Sequence, residues 1–483
     1  MIGPALLSLE KDRKISQTVF KDLNLDLVFN EKLQAVLSHP CSQNELLARQ
    51  RVFIELKRDS VFEGVVACRS AIADLRREIT LWQEARTQIE KLCLRVSVLE
   101  LYLLACHSLC DLQGSGRLYE IAHYFQGKKD IKMREAITEA KSLLRCMRNT
   151  RIMRLDNQYV ISKGDSEKTL FEEIRDCAEA LNIAYSKKEY STIYPDVYIS
   201  NALFALYKEQ ISKIENLIAP FTSVDFEEVL SYLPQLDFFI QIEEFGRRAE
   251  KKQLSRCIPI ISETRQFVLK EMYDFTLLGN LGIEIVPNHT YFSQEEPFFF
   301  LVGANGGGKT TYLRAVGSNL ILFLAGCPVF AQSCAGYPFA ELRTHYPVDE
   351  RFTNTGRLDD EKRRVDEMLS GDIGDVFFLF NETFSGTNQE KGYALAMEVV
   401  ENLHHHKCFG LFVTHFHQVR ETKYPVLNTV VKDDAHHRRT YKITYATPGG
   451  GSYAEDILIK YRLDKLSLAE KLNNSLESQE TSV

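Results

Sequence analysis

The sequence has no apolar run long enough to cross a lipid bilayer, which requires about 18 consecutive apolar residues. The longest candidate, Leu320 to Phe330, is shorter than this and contains Pro328. The amino terminus also lacks the positively charged and apolar regions of a secretory signal peptide. These absences predict a cytoplasmic protein that has no membrane partner.

Closely spaced cysteine pairs are also absent. None of the eleven cysteines forms a Cys-x-x-Cys pair, and the closest two, Cys106 and Cys110, lie one helical turn apart. A structural zinc site or a disulfide framework normally shows tighter and more regular spacing. We therefore expect reduced, mostly buried thiols, as in a cytosolic protein.

The chain lacks an overall excess of positive charge. Its formal net charge is -7, so any contact with nucleic acid must use a local basic patch. Residues 128–154 hold nine Lys or Arg and three Asp or Glu, which makes them the most basic stretch. Basic side chains bind nucleic acid by displacing counterions from phosphates, although a solvated helix face is the alternative interpretation. The candidate contacts are Lys128, Lys129, Lys132, Arg145 and Arg148.

Glycine and proline are almost missing from residues 59–112, where only Gly64 interrupts a helical pattern. The apolar residues recur there at intervals of three and four, which predicts long helices. Extended antiparallel helices and a compact helical bundle remain alternatives. The helical pattern continues to about 250, and short apolar runs with β-branched residues replace it around Pro259. The 483 residues suffice for two to four domains, and we place a boundary between about 250 and 270.

A phosphate-binding loop is the strongest motif of the chain. The apolar run Phe298 to Val302 precedes Gly-x-x-x-x-Gly-Lys-Thr, and a helical pattern follows it. Glycines allow backbone N–H groups to surround phosphate oxygens, while the lysine reaches the β- and γ-phosphates and the threonine hydroxyl binds Mg²⁺. A helix that begins after the loop directs its positive end at the anion. The predicted nucleotide-binding residues are Gly303, Ala304, Asn305, Gly306, Gly307, Gly308, Lys309, Thr310 and Thr311.

Two further apolar runs predict buried strands, each followed by polar residues. Val376 to Phe380 precedes Asn381 and Glu382, at a place where two acidic residues usually support Mg²⁺ and the attacking water. Asn381 adds no charge, so we expect weak Mg²⁺ support through a bound water, with Thr310 as the direct ligand. Phe409 to Val413 precedes His415, which can sense the γ-phosphate. His404, His405, His406 and Cys408 indicate a helix end that favours cations rather than a metal site.

These motifs together resemble the MutS ATPases, the mismatch-repair branch of the ABC-type ATPases. The resemblance lies in Gly303-Ala-Asn-Gly-Gly-Gly-Lys-Thr-Thr-Tyr-Leu-Arg314, Leu324 to Ala331, Phe380-Asn-Glu-Thr-Phe-Ser-Gly-Thr387, Val413 to Val419 and Gly451-Ser-Tyr-Ala454. Weaker similarity extends over 15–250. The resemblance implies that Asn288 lies near the adenine, that Glu382 and His415 are catalytic, and that two copies of the chain share each ATP site.

The same resemblance implies the domain organisation. We expect an all-α lever or core domain (1–255), an α/β P-loop ATPase domain of ABC type (256–468) and a flexible tail (469–483). The chain has no room for the mismatch-reading and connector domains of full-length members, and we expect a truncated form. The segment that reaches a partner's nucleotide is charged here, from Gly356 to Val365.

The implied function is ATP-dependent DNA binding in repair or recombination, with ATP and Mg²⁺ as cofactors and a homodimer as the active form. A nucleotide-gated scaffold that hydrolyses little ATP and holds a protein partner is the alternative.

Overall fold

The elements below come from a computed structural model. It describes residues 3–8, 14–127, 130–148, 150–155, 158–163, 203–280, 282, 284–303, 305–347, 357–431 and 439–445. The helices, in chain order, are α1 (Gln17–Asp22), α2 (Glu31–Leu37), α3 (Gln43–Leu56), α4 (Asp59–Glu84), α5 (Gln88–Cys110), α6 (Arg117–Gln126), α7 (Ile131–Arg148), α8 (Lys208–Ile218), α9 (Phe226–Leu230), α10 (Tyr232–Lys251), α11 (Lys309–Leu324), α12 (Arg357–Met368) and α13 (Gln389–His405).

The strands fall mainly in the C-terminal half. They are β1 (Thr150–Leu155), β2 (Gln158–Lys163), β3 (Ile260–Ile261), β4 (Phe267–Met272), β5 (Asn288–Phe292), β6 (Phe298–Val302), β7 (Ser333–Gly336), β8 (Glu341–His345), β9 (Val376–Asn381), β10 (Phe409–Val413), β11 (Val426–Val431) and β12 (Arg439–Tyr445). The three buried strands predicted before the polar motifs, β6, β9 and β10, are confirmed, and every residue of each is buried.

The chain divides into two units by its internal contacts. One unit comprises Met1–Leu6 and Glu55–Ile240, and the other comprises Leu7–Ile54 and Gln241–Val483. This division differs from the expected domain boundary at about 255, because residues 7–54 group with the C-terminal half. The predicted tail, 469–483, lies outside the described residues.

The first unit is mainly helical. A three-residue connection separates α4 from α5, and the two helices pack along each other as an antiparallel pair, with α6 and α7 against α5. Thr87 begins α5 with a capping box, in which its hydroxyl accepts from the Glu90 N–H and the Glu90 carboxylate accepts from the Thr87 N–H. Helices α4 and α5 therefore pair within a small bundle, which agrees with the second of the two alternatives. Among the described residues α5 alone has the length and composition of a membrane-spanning helix, and it is mostly buried in this bundle.

A β-hairpin corrects the expectation that this region is all-α. Strands β1 and β2 pair antiparallel, with Thr150 opposite Lys163 and Leu155 opposite Gln158. Two residues, Asp156 and Asn157, separate the strands in the sequence, and such residue types favour a two-residue hairpin turn. The β-branched residues Thr150, Ile152, Val160 and Ile161 were the signal, and the excess of basic residues obscured it.

The second unit contains a six-stranded sheet in the order β12-β11-β6-β10-β9-β8, in which β11, β6, β10, β9 and β8 are parallel. β12 is an antiparallel edge strand. A four-stranded sheet has the order β3-β7-β4-β5. The helix α11 follows β6 directly and is buried along most of its length. An α/β fold for this part of the chain is thus confirmed.

The buried side chain of Arg49 explains why residues 7–54 group with this unit. Its guanidinium donates to the Glu45 carboxylate at 2.7 Å, to the Ala325 carbonyl at 2.9 Å and to the Ser8 carbonyl at 2.8 Å. Gln50 donates to the Pro259 carbonyl at 3.0 Å. Sequence patterns do not reveal such pairings over more than 200 residues of chain. The helical spacing of α3 predicts that Leu46, Leu47, Val52, Phe53 and Leu56 face inward. All are buried except Leu47, which is 42% exposed.

Two helical glycines, Gly317 in the second unit and Gly64 in the first, compare how closely the surrounding residues are packed. A Cβ on Gly317 of α11 would lie 2.6 Å from Leu379 Cδ1 and 2.8 Å from Leu23 Cδ2, whereas one on Gly64 of α4 would meet nothing within 4 Å. Replacing glycine by alanine favours a helix by about 1 kcal/mol, and overpacking a core costs about 1–3 kcal/mol. We predict that Gly64→Ala raises the thermal unfolding midpoint and that Gly317→Ala lowers it in calorimetry. A stabilising Gly317→Ala would contradict this packing.

Candidate functional site

The glycine loop lies between the end of β6 and the start of α11. Gly303, Gly306 and Gly308 have positive φ angles of 140°, 67° and 93°, which residues with a Cβ rarely adopt. Gly303 is also restricted by contact, since a Cβ there would lie 2.1 Å from Thr429 Oγ1. The helix begins at Lys309 as predicted, with Gly308 as its N-cap. Backbone N–H groups at this helix terminus favour a bound anion.

Lys309 is buried at the first position of α11, with 4% of its surface exposed. Its ammonium donates to the Gly303 carbonyl at 2.9 Å, so the side chain folds back across the loop. The loss of surrounding water lowers the pKa of Lys309, and the nearby Glu382 carboxylate opposes that shift. A buried ammonium group that can exchange its bond to a backbone carbonyl for a bond to a phosphate oxygen is suited to phosphate binding.

Thr310, the residue after Lys309, contacts Asn381. The Thr310 hydroxyl donates to the Asn381 side-chain oxygen at 3.3 Å. Asn381 is the last residue of β9 and is 9% exposed. Both side chains offer oxygen, the donor atom that Mg²⁺ prefers, but neither carries charge. The pair fits a magnesium ion that is held mainly by phosphate oxygens and water.

Glu382 and His415 form a second pair at the same edge of the sheet. The His415 Nε2 lies 2.8 Å from Glu382 Oε1, and about one third of each side chain is exposed. The parallel register explains this contact, because Asn381 pairs with Val413 and the Glu382 N–H donates to the Val413 carbonyl at 2.9 Å. Glu382 has a φ of 52°, a left-handed conformation that costs about 1–3 kcal/mol for a residue other than glycine.

The other predicted loop residues take different positions. Asn305 and Gly306 are exposed, Gly307 is buried, and Thr311 is exposed on the first turn of α11. Ala304 lies outside the described residues, as does the late Ser452–Tyr453 motif. Their roles stay predictions.

Asn288 holds two strands together rather than presenting its side chain to the loop. Its amide nitrogen donates to the carbonyls of Tyr441 and Val286 at 3.0 and 3.2 Å, and its oxygen accepts from the Ile443 N–H at 2.8 Å. These bonds use both amide hydrogens, and the side chain is buried. The adenine contact expected of Asn288 stays a prediction.

Tyr441 is a side chain beside the loop that the sequence patterns missed. It is 48% exposed, has a φ of 55°, and its Cδ1 would lie 3.4 Å from a Cβ placed on Gly308. An exposed aromatic ring at this position offers a flat apolar surface next to the phosphate loop. The alternating pattern of β12 was visible in the sequence, but only its pairing with β11 brings Tyr441 to Gly308.

The structure describes the side chains of two of the five candidate nucleic-acid contacts. Lys132 and Arg145 are exposed on α7, but thirteen residues separate them, which at about 3.6 residues per turn puts them on different sides of the helix. Lys141 donates to the Glu100 carboxylate at 2.7 Å. Lys128, Lys129 and the side chain of Arg148 lie outside the described residues. At the end of α13, His404 and His405 occupy the last turn, as predicted.

Comparisons with known proteins match the part of the chain that contains these residues. Residues 299–450 match the family described as MutS domain V. A DNA mismatch repair protein MutS from Geobacillus sp. (strain WCH70) is 27% identical over 40% of this chain and 24% of its own length. An Endonuclease MutS2 from Anaeromyxobacter sp. (strain Fw109-5) is 31% identical over 37% of this chain and 23% of its own length. A DNA mismatch repair protein MutS from Bacillus subtilis (strain 168) is 27% identical over 49% of this chain and 28% of its own length.

The predicted relationship to the MutS family is thus confirmed, through the C-terminal part of the chain. The chain spans about a quarter of the length of these curated relatives.

His345, at the end of β8, supports the loop that carries Glu382. Its Nδ1 lies 2.8 Å from the Thr383 hydroxyl, while its Nε2 is buried without a hydrogen bond in the described part of the chain. Burial, with a smaller contribution from the positive charge of Arg364, lowers the pKa of His345 to about 3. The ring is therefore neutral in the folded protein at neutral pH.

This shift predicts a pH dependence of stability. Below about pH 6.5 the unfolded chain binds a proton at His345, and the folded chain does not. The free energy of unfolding therefore falls by up to about 1.4 kcal/mol for each unit by which the pH is lowered from about 6.5 to about 3. We expect His345→Gln, which keeps a bond to Thr383, to reduce this dependence in urea unfolding at pH 7.5 and 5.5. Equal pH dependence in the two proteins would contradict the neutral buried imidazole.

Proposed function

We propose that this protein binds ATP with Mg²⁺ at the loop 303–311, hydrolyses it, and uses the cycle to control binding to DNA. One observation carries the proposal: the glycine loop, the Thr310–Asn381 pair and the Glu382–His415 pair all follow neighbouring parallel strands at one edge of the sheet. Ligands of open parallel sheets bind at the carboxyl ends of the strands. The match of this region to MutS domain V supports the same assignment.

In this proposal the glycine loop and the start of α11 hold the phosphates. Lys309 exchanges its bond to the Gly303 carbonyl for the β- and γ-phosphate oxygens and stabilises negative charge there. Thr310 through its hydroxyl and Asn381 through a bound water would hold Mg²⁺, which would neutralise charge on the phosphates. Tyr441, whose ring lies beside Gly308, is the described side chain best placed to contact the base.

Glu382 orients the attacking water and accepts its proton, and His415 contacts the γ-phosphate. The bond of 2.8 Å between the two side chains keeps the carboxylate directed toward the loop. Since Asn381 supplies no negative charge for Mg²⁺, we expect slow turnover.

We further propose that two copies of the chain share each nucleotide site and that the helices of the first unit act as a lever on DNA. The support is the relationship to proteins named for DNA mismatch repair and the partly exposed Glu382–His415 pair, which a partner can cover. Helices of 26 and 23 residues, such as α4 and α5, are suited to transmit a rigid-body change.

A scaffold that binds nucleotide but hydrolyses little or none is the second candidate function. The neutral Thr310–Asn381 pair favours it, because weak support for Mg²⁺ lowers the rate of phosphoryl transfer more than the affinity for ATP. In this case the helical unit holds a protein partner. Phosphate release measured with and without DNA separates the two functions, since turnover well above background excludes the scaffold.

Two substitutions test the nucleotide site. We predict that Lys309→Ala lowers the affinity for a fluorescent ATP analogue by at least about 100-fold, because the loss of a charge-assisted contact costs several kcal/mol. Glu382→Gln should bind the analogue as wild type does and lose hydrolysis. Lys251→Ala, which removes an exposed lysine at the end of α10, is the control. Unchanged affinity in Lys309→Ala would refute the proposed site.

The proposed DNA contact predicts a dependence on salt. Each lysine or arginine that binds a phosphate contributes about 0.9 to the slope of log affinity against log salt. Lys132→Ala and Arg145→Ala should each reduce this slope in gel-shift titrations at several salt concentrations. Lys141→Ala should change it less, because Glu100 already neutralises that ammonium. Equal slopes in wild type and the two test variants would exclude α7 from the DNA contact.

A further inference from the structure

The loop after β9 carries Glu382 in an unusual backbone conformation. Both Glu382 and Phe384 have left-handed φ angles, of 52° and 63°. Residues other than glycine adopt this conformation only where their surroundings impose it. The loop therefore depends on contacts from other elements, and these determine where the Glu382 carboxylate lies.

A buried carboxylate from α12 supplies one of these contacts. Glu361 is 6% exposed, and its Oε1 accepts a hydrogen bond from the Phe384 N–H at 3.1 Å. The ring of Phe384 is itself buried. A backbone N–H in such a place needs an acceptor, because water cannot reach it. Glu361 thus fixes the residue two positions after Glu382.

Helix α13 packs closely against this loop. A Cβ on Gly392 would lie 2.6 Å from the Phe384 carbonyl oxygen and 2.8 Å from Phe416 Cζ. Phe416 directly follows His415, and Phe384 lies two positions after Glu382, so Gly392 packs against the segments that carry both members of the Glu382–His415 pair. Only a residue without a side chain allows the loop and the ring to approach α13 this closely.

We propose that Glu361 is a positioning residue for Glu382: it holds the Phe384 backbone in place from α12, and so aligns the carboxylate with His415. This inference rests on the proposed role of Glu382 in hydrolysis. A contact that moves α12 would then shift Glu361, and through it the loop of Glu382, and so change the rate of hydrolysis. Misplacing a catalytic group by about 1 Å lowers a rate by as much as about 100-fold.

Three variants test the proposal. Glu361→Ala removes the acceptor, Glu361→Gln retains a side-chain oxygen of the same reach, and Glu367→Ala removes a carboxylate from the exposed side of the same helix (67% exposed). We expect Glu361→Ala to lower kcat by about 10- to 100-fold while the Kd for ATP changes by less than about twofold. Glu361→Gln should retain most of the wild-type kcat, and Glu367→Ala all of it.

Amide hydrogen exchange of residues 382–386 gives a reading that does not require turnover. The Phe384 amide should exchange at least about 10-fold faster in Glu361→Ala than in wild type, and at nearly the wild-type rate in Glu361→Gln. A wild-type protein that binds ATP without hydrolysing it counts against the proposed function, and the exchange result then decides the role of Glu361 alone. Unchanged exchange in Glu361→Ala overturns the proposal.

Gly392→Ala tests the same loop if Glu361→Ala does not fold. The added methyl group displaces the Phe384 carbonyl and leaves Glu361 intact. We expect a similar loss of kcat with ATP affinity retained. Wild-type kcat in Gly392→Ala, in a protein whose wild type does hydrolyse ATP, would show that Glu382 does not depend on the position of this loop.

Discussion

The parallel pairing of β6, β10 and β9 is the constraint on which the candidate site depends. Parallel strands end at the same edge of a sheet, so the residues that follow them become neighbours although about 110 positions separate the first from the last. The register brings Leu301 beside Val413, and Val413 beside Asn381. The glycine loop, Glu382 and His415 are therefore placed by backbone hydrogen bonds rather than by their own side chains. The mainly aromatic and aliphatic side chains of these strands stabilise that pairing by burial.

The polar residues around the strand ends add precision to this arrangement. Lys309 bonds to the loop it closes, Thr310 to Asn381, and His345 to Thr383. These contacts lie in a protected edge where water competes weakly, so each hydrogen bond restricts geometry more than it would at the surface. The left-handed conformations of Glu382 and Phe384 are maintained by this surrounding structure. A charged ligand at such a site would replace existing hydrogen bonds, such as that of Lys309 to the Gly303 carbonyl, without the formation of new helices or strands.

Much of the second unit was predictable from local patterns. The three buried strands, the start of α11 at Lys309, and the residues near the phosphate loop follow from apolar runs and glycine spacing. The grouping of residues 7–54 was not predictable, because it depends on the buried guanidinium of Arg49 reaching the Ala325 carbonyl. The position of Tyr441 was not predictable either, and the hydrogen bond from the Asn288 amide to its carbonyl spans 153 positions. The hairpin β1–β2 was missed because its charge suggested a helix face.

The central claim, that this edge of the sheet binds ATP for hydrolysis, is tested most directly by a crystal structure with Mg²⁺ and a non-hydrolysable ATP analogue. The account predicts that the γ-phosphate lies between Lys309 Nζ and the Glu382–His415 pair, and that the ammonium has left the Gly303 carbonyl. A nucleotide bound elsewhere, or Lys309 still bonded to Gly303 at saturating analogue, would contradict it.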